Sequence, residues 1–121
     1  MTFVALEKTF ALCRDISPSD VDLNGIPYFF AHTQDETSLL CPQDAAPCNA
    51  ERIEAPWRGF YVAGQLDFSL TGILAHITAV LAQSDIPVFA ISTFDTDYIF
   101  VKADMLEAAT HALRAAGHKV R

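Results

Sequence analysis

The chain has 121 residues and a mass of 13.3 kDa, enough for one compact domain or two very small halves sharing a core. Hydrophobic residues make up 51% and charged residues 19%, which supplies a core and excludes disorder. The formal net charge is −7 and Lys and Arg never cluster, so the sequence fits neither nucleic acid nor an anionic membrane surface as a partner.

In chain order, TFALC (9–13) is an apolar strand candidate and DISPSDVDLNG (15–25), rich in Asp with Pro and Gly, is a loop. FAHTQDETSLLC (30–41) then carries apolar strand residues on either side of a polar turn. WRGFYVA (57–63) is rich in aromatic and β-branched residues and predicts a strand. From Gly72 to Gln83 the period changes, with Ile73, Ile77, Val80 and Leu81 forming one helical stripe and Ser69 or Thr71 available as its cap. Ile86–Thr93 and Asp97–Lys102 read as strands joined by the turn TFDTD. Asp104 then caps a helix whose inner face is Leu106, Ala109, Leu113 and Ala116, ended by Gly117, and residues 118–121 form a short last strand. The order is β-α-β-β-α-β, the ferredoxin-like split unit of an α+β fold.

The first half repeats this pattern in shortened form. Thr33 matches Thr93 and Asp35 matches Asp95, each 60 residues apart, whereas Phe10 and Phe60 are 50 apart. The first unit is thus shorter between its opening strand and its turn, and residues 15–25 stand where the second has an apolar helix. The reading is a tandem duplication, residues 1–56 a truncated unit and residues 57–121 a complete one. IPVFAISTF (86–94) is apolar on both faces, so its second face needs cover from another half or another subunit.

Two carboxylates at the tip of one turn raise a chemical question. A metal site would need further oxygen or imidazole ligands, and none is spaced to supply them; His32, His76, His111 and His118 fall on different elements, with no ligand-like pairing with cysteine. An acid/base pair is disfavoured because a spacing of two on a turn rarely sets carboxylates facing across a substrate. Asp95 is explained by an Asx turn. Asp97 lies beyond the turn's need, at a strand start, where its side chain can point into a groove. LDFSLTGI (66–73) is a strand-to-helix loop whose amides, at a helix N-terminus, attract a carboxylate. Cys13, Cys41 and Cys48, odd in number, read as reduced, inert apolar residues with no base to activate them, and Trp57 as a core or interface residue. No basic segment precedes an apolar run and no apolar run reaches membrane-spanning length, so the expectation is a soluble cytoplasmic protein.

The block WRGFYVAGQLDFSLTGILAHITAVLAQSDIPVFAISTFDTDYIFV, followed by A-x-x-A-L-x-x-A-G (109–117), resembles an ACT domain, the amino-acid-binding regulatory module. In detail it is similar to the tandem branch found in cellular arginine sensors and small ACT proteins, and TQDETSLLCP resembles the turn of that branch's first unit. The resemblance implies a non-catalytic sensor, without cofactor, holding a free amino acid between ACT-like units. It carries over Ser69, Leu70, Thr71, Gly72 and Ile73 at the loop, Asp97 against the ligand's cationic group, Thr93 and Phe94 in the turn, and Ser38 and Leu39 from the first unit. Residues 15–27, too short for the usual first helix, depart from the family. The competing reading is a structural or interaction module with no ligand. Side-by-side ACT sheets and the uncovered apolar face also lead to an expected homodimer, with ligand sites near the junction between ACT units.

Overall fold

The computed structural model describes residues 1–64 and 71–121. The chain divides into two compact units, residues 8–57 and residues 1–7 with 58–121.

The larger unit contains strand β1 (Thr2–Ala5), the last residues of β5 (Arg52–Val62), helix α1 (Ile73–Gln83), strands β6 (Phe89–Ser92) and β7 (Asp97–Lys102), helix α2 (Leu106–Ala115) and strand β8 (Lys119–Val120). The expected helical stripe is realised: Ile77 and Leu81 are fully buried, and Ile73, Leu74 and Val80 pack partly buried against the same core. From α2 the core receives Ala109, Ala112 and Leu113, and from the sheet Phe3, Phe60, Val62, Ile99 and Val101. Alternation along β7 puts Ile99 and Val101, with Asp97 in the same phase, on the helix-bearing face.

Both helices end through backbone chemistry. At α2, Gly117 is left-handed at φ 94°, its amide bonds the carbonyl of Arg114, and the His118 amide bonds that of Leu113, so two terminal carbonyls are satisfied. At α1 the same pair of bonds forms around Asp85, at φ 57°, with Ile86 buried against the core beside Leu81. Among the described residues no side chain caps either helix start: a 3-10 turn at Ala103–Met105 leads into α2, and α1 begins at Gly72.

The N-terminal strand is the main departure from the sequence reading. β1 runs antiparallel to β5 (Phe3 opposite Val62) and parallel to β8 (Phe3 opposite Val120). It therefore belongs with the C-terminal unit, standing between the first and last strands of the βαββαβ order. Phe3, wholly buried, is its contribution to the core, and paired backbone groups on both sides hold it.

The smaller unit orders its strands β3 (Phe29–His32), β4 (Thr37–Pro42), β2 (Phe10–Arg14) and residues 52–57 of β5. Between β2 and β3 stands only a 3-10 turn at Pro18–Asp20, in keeping with the missing first helix. The second helix is missing too: Gln43–Ala45 is a 3-10 turn, and the nine residues between β4 and β5 leave no room for a helix of α2's length. Its core of Ala11, Cys13, Ile16, Leu39 and Cys41 is covered by Val21, Tyr28, Ala46 and Ala50. The repeat is otherwise kept to the residue: β3 and β6, β4 and β7, and the turns at 43–45 and 103–105 all lie 60 positions apart. Among the described residues no helix is long and apolar enough to cross a membrane.

Candidate functional site

The turn that joins β6 to β7 is closed by a threonine. Thr93 N–H donates to the Thr96 carbonyl at 2.8 Å, the Thr93 hydroxyl donates to the same carbonyl at 3.1 Å, and Thr96 N–H donates back to that hydroxyl at 3.3 Å. The first unit repeats this around Thr33, whose hydroxyl donates to the Glu36 carbonyl and accepts from the Asp35 and Glu36 amides. Thr93 thus closes the turn in the second unit as Thr33 does in the first.

Asp95 lines an open groove of about 330 Å³ with Tyr61, Val62, Gly64, Thr93, Thr96 and Tyr98. Two tyrosines from neighbouring strands form one wall, their ring centroids 5.8 Å apart. The Thr96 hydroxyl donates to the Val62 carbonyl at 2.7 Å and ties the turn to β5. The volume falls in the range of small-metabolite sites, roughly 300–1,000 Å³. Aromatic faces, hydroxyls and one carboxylate suit a small polar molecule with a cationic group.

The residues expected at the site are distributed unevenly. Thr93 lines the groove, and Phe94 stands beside it at 73% exposure. Asp97 does not line it: the Asp97 carboxylate accepts from the Ser92 hydroxyl at 2.6 Å, in phase with the core residues of β7. Thr71 and Gly72 are exposed and Ile73 packs against the core, none of them in the groove. Ser69 and Leu70 lie outside the described residues. Ser38 and Leu39 belong to the smaller unit, where Leu39 is wholly buried in the core and the Ser38 hydroxyl donates to Glu36. Tyr61, Thr96 and Tyr98 line the groove without having been expected there from the sequence. The one available signal was the Tyr of WRGFYVA, whose outward phase relative to Phe60 marks a second face.

Other reactive groups are arranged differently. Cys13 and Cys41 are buried, and burial pushes the Cys41 thiol up to about 12, so its thiolate is scarcely populated near neutral pH. Cys48, expected among the apolar cysteines, is exposed. His76 and His118, on different elements, meet with their Nε2 atoms 2.8 Å apart, and the Met1 amine lies 3.0 Å from His118 Nδ1. Burial, then the α-amino charge, then His76 lower the pKa of His118. Because the unfolded chain takes up this proton first, the stability that neutral His118 confers is complete above the ordinary value near 6.5 and is lost as pH falls below it. His118→Asn is accordingly expected to flatten the fall in urea midpoint between pH 7 and pH 5; an unchanged slope would assign that fall to other groups. Among the described residues no three His, Cys, Asp or Glu side chains gather where one ion could bind them.

Comparison with known proteins agrees with this architecture. Residues 52–115 match the family described as ACT domain. An Agrobacterium tumefaciens protein of known structure is 29% identical, with a TM-score of 0.87 over 99% of this chain and 91% of that one. The regulatory subunit of aspartate kinase from Thermus thermophilus, in its ligand-free form, is 11% identical with a TM-score of 0.69, covering 95% of this chain and 96% of that one. Clostridium acetobutylicum aspartate kinase is 15% identical with a TM-score of 0.69, covering 94% of this chain and 34% of the enzyme. At such low identity the two kinase matches speak to fold alone.

Proposed function

The chain belongs to the ACT domain family, and on that premise we propose that it is a non-catalytic regulatory module that binds a free amino acid in the groove of its larger unit. The observation that carries this reading is the groove itself, where the Asp95 carboxylate, the Thr93 and Thr96 side chains and the Tyr61 and Tyr98 rings surround a metabolite-sized space. Asp95 takes the ligand's ammonium group and the tyrosines cover its side chain. The regulatory role named for the Thermus thermophilus subunit is consistent with this proposal.

Isothermal titration against the common amino acids tests it, and flat heats with folded protein would sink it. A charged hydrogen bond contributes roughly 1.5–3 kcal/mol, so Asp95→Asn is expected to weaken binding about 10- to 150-fold. Asp97→Asn is expected to leave it nearly unchanged. The reverse ranking would move the ligand to Asp97 and the amides of Gly72 and Ile73, as the family resemblance implies.

An interaction role is favoured by one separate observation. Leu23, Ile26 and Ile53 of the smaller unit expose 68%, 61% and 47% of their surface, and Phe94 of the larger unit exposes 73%. Such residues suit a homodimer contact. Light scattering at micromolar concentration is the check, and a mass near 13.3 kDa with and without ligand would rule the dimer out.

A further inference from the structure

We propose that the smaller unit carries a second ligand site, of different chemistry from the first, that accepts an acidic α-amino acid. Its groove, about 180 Å³, is lined by Leu12, Arg14, Glu36, Ser38, Arg52 and Glu54 together with Cys13. The duplication places it at the position of the tyrosine groove. Leu12 and Arg14 stand 50 residues before Val62 and Gly64, and Glu36 and Ser38 stand 60 residues before Thr96 and Tyr98. The repeat has kept the concavity and exchanged a glycine, a threonine and a tyrosine for an arginine, a glutamate and a serine.

The register explains what the new lining can hold. Arg14 lies directly opposite Arg52 across β2 and β5, and opposite Ser38 across β2 and β4. Directly opposed side chains stand about 4.5–5.5 Å apart at Cβ, and like charges there repel. The carboxylates beside them relieve this only partly: Arg14 Nε is 3.4 Å from Asp15 and Arg52 is 3.8 Å from Glu54, long ion pairs between half-exposed side chains. Two guanidinium forks on one sheet face match two carboxylates, each of which accepts bidentate donation. Glu36 and Glu54 on the flanks disfavour a plain dianion, and their negative charge attracts an ammonium group. A compact molecule with two carboxylates and one ammonium meets all four side chains, and the volume excludes anything drug-sized. The exposure of Arg14 and Arg52, 46% and 67%, sets a weak site, with a dissociation constant on the order of 1 mM.

The test is an amide NMR titration of the full chain with L-aspartate at constant ionic strength, up to about 20 mM. Saturable shifts are expected at Arg14, Ser38 and Arg52, with binding weakened at least fivefold by Arg14→Gln and by Arg52→Lys, which keeps the charge and loses the fork. Succinate, lacking the ammonium, is expected to bind more weakly than L-aspartate. Because Asp95 is remote in sequence and belongs to the other groove, Asp95→Asn is expected to leave these shifts intact, so this site stands or falls apart from the tyrosine groove. Shifts that rise linearly without saturation, that survive both arginine substitutions, or that are confined to residues 93–98 would overturn the proposal, as would succinate binding as tightly as L-aspartate.

Discussion

Truncating Phe60 to alanine is expected to remove about 3–5 kcal/mol of folding stability, the range for deleting a fully buried aromatic side chain. Phe60 has no exposed surface and sits in the core cluster formed by β1, α1, β7 and α2. The cluster it belongs to draws on four other elements, with Phe3, Ile77, Val101 and Leu113 among its members. They cannot all close on the vacated space, so the cavity term adds to the lost transfer energy. For a chain of this size, such a loss consumes much of the roughly 5–15 kcal/mol that separates folded from unfolded protein. Urea unfolding followed by circular dichroism measures it. A loss under about 1 kcal/mol would mean that the larger unit repacks freely around position 60.

The larger unit was legible because its signals are local. The stripe Ile73–Leu81 sets the period of α1, and the left-handed Gly117 marks the end of α2. β1 was not legible, because four residues carry too little pattern and the partners of Phe3 are Val62 and Val120, far along the chain. The mechanism that ends α1, an aspartate taking the left-handed position usually given to glycine, leaves no clear mark in composition. In the smaller unit the turn was visible from Thr33 and Thr93. The loss of its second helix was hidden by PQDAAPCNA, whose Pro, Gln, Asp and Ala also occur at helix starts.

The site was harder to read than the fold for a related reason. Thr93 was marked by its recurrence as Thr33 and by the family resemblance, whereas Tyr61 and Tyr98 come together only when β5 pairs with β7. Asp95 and Asp97 differ because one stands in the turn and the other opens β7. Two residues apart in sequence, one lines the groove while the other bonds Ser92 in phase with the core residues of β7. Leu39 illustrates the same limit, since a core leucine and a ligand-contacting leucine on a strand look alike until the sheet face is known.

Gly59→Val is expected to cost roughly 1–3 kcal/mol or more through overpacking. A Cβ at position 59 would stand 2.5 and 2.8 Å from two ring carbons of Phe100, closer than real contacts allow, and a tight 3.1 Å from a Leu6 methyl. Phe100 is wholly buried and stacked on Phe89 with centroids 5.2 Å apart, so its ring cannot swing away. The Leu6 methyl, at the end of a flexible side chain, can move away more readily, so the ring carries the cost. Replacing glycine does restrict the unfolded chain, which by itself stabilises by about 0.4–1 kcal/mol, but the clash outweighs that gain. The cause is separable in a double-mutant cycle with Phe100→Leu. That substitution alone destabilises by opening space, and the same space accommodates the new side chain at position 59. The double variant is therefore expected to lose less than the sum of the single losses, with a coupling of about 0.5–3 kcal/mol. Strict additivity in urea midpoints would show that Gly59 is required for a reason other than the ring lying over it.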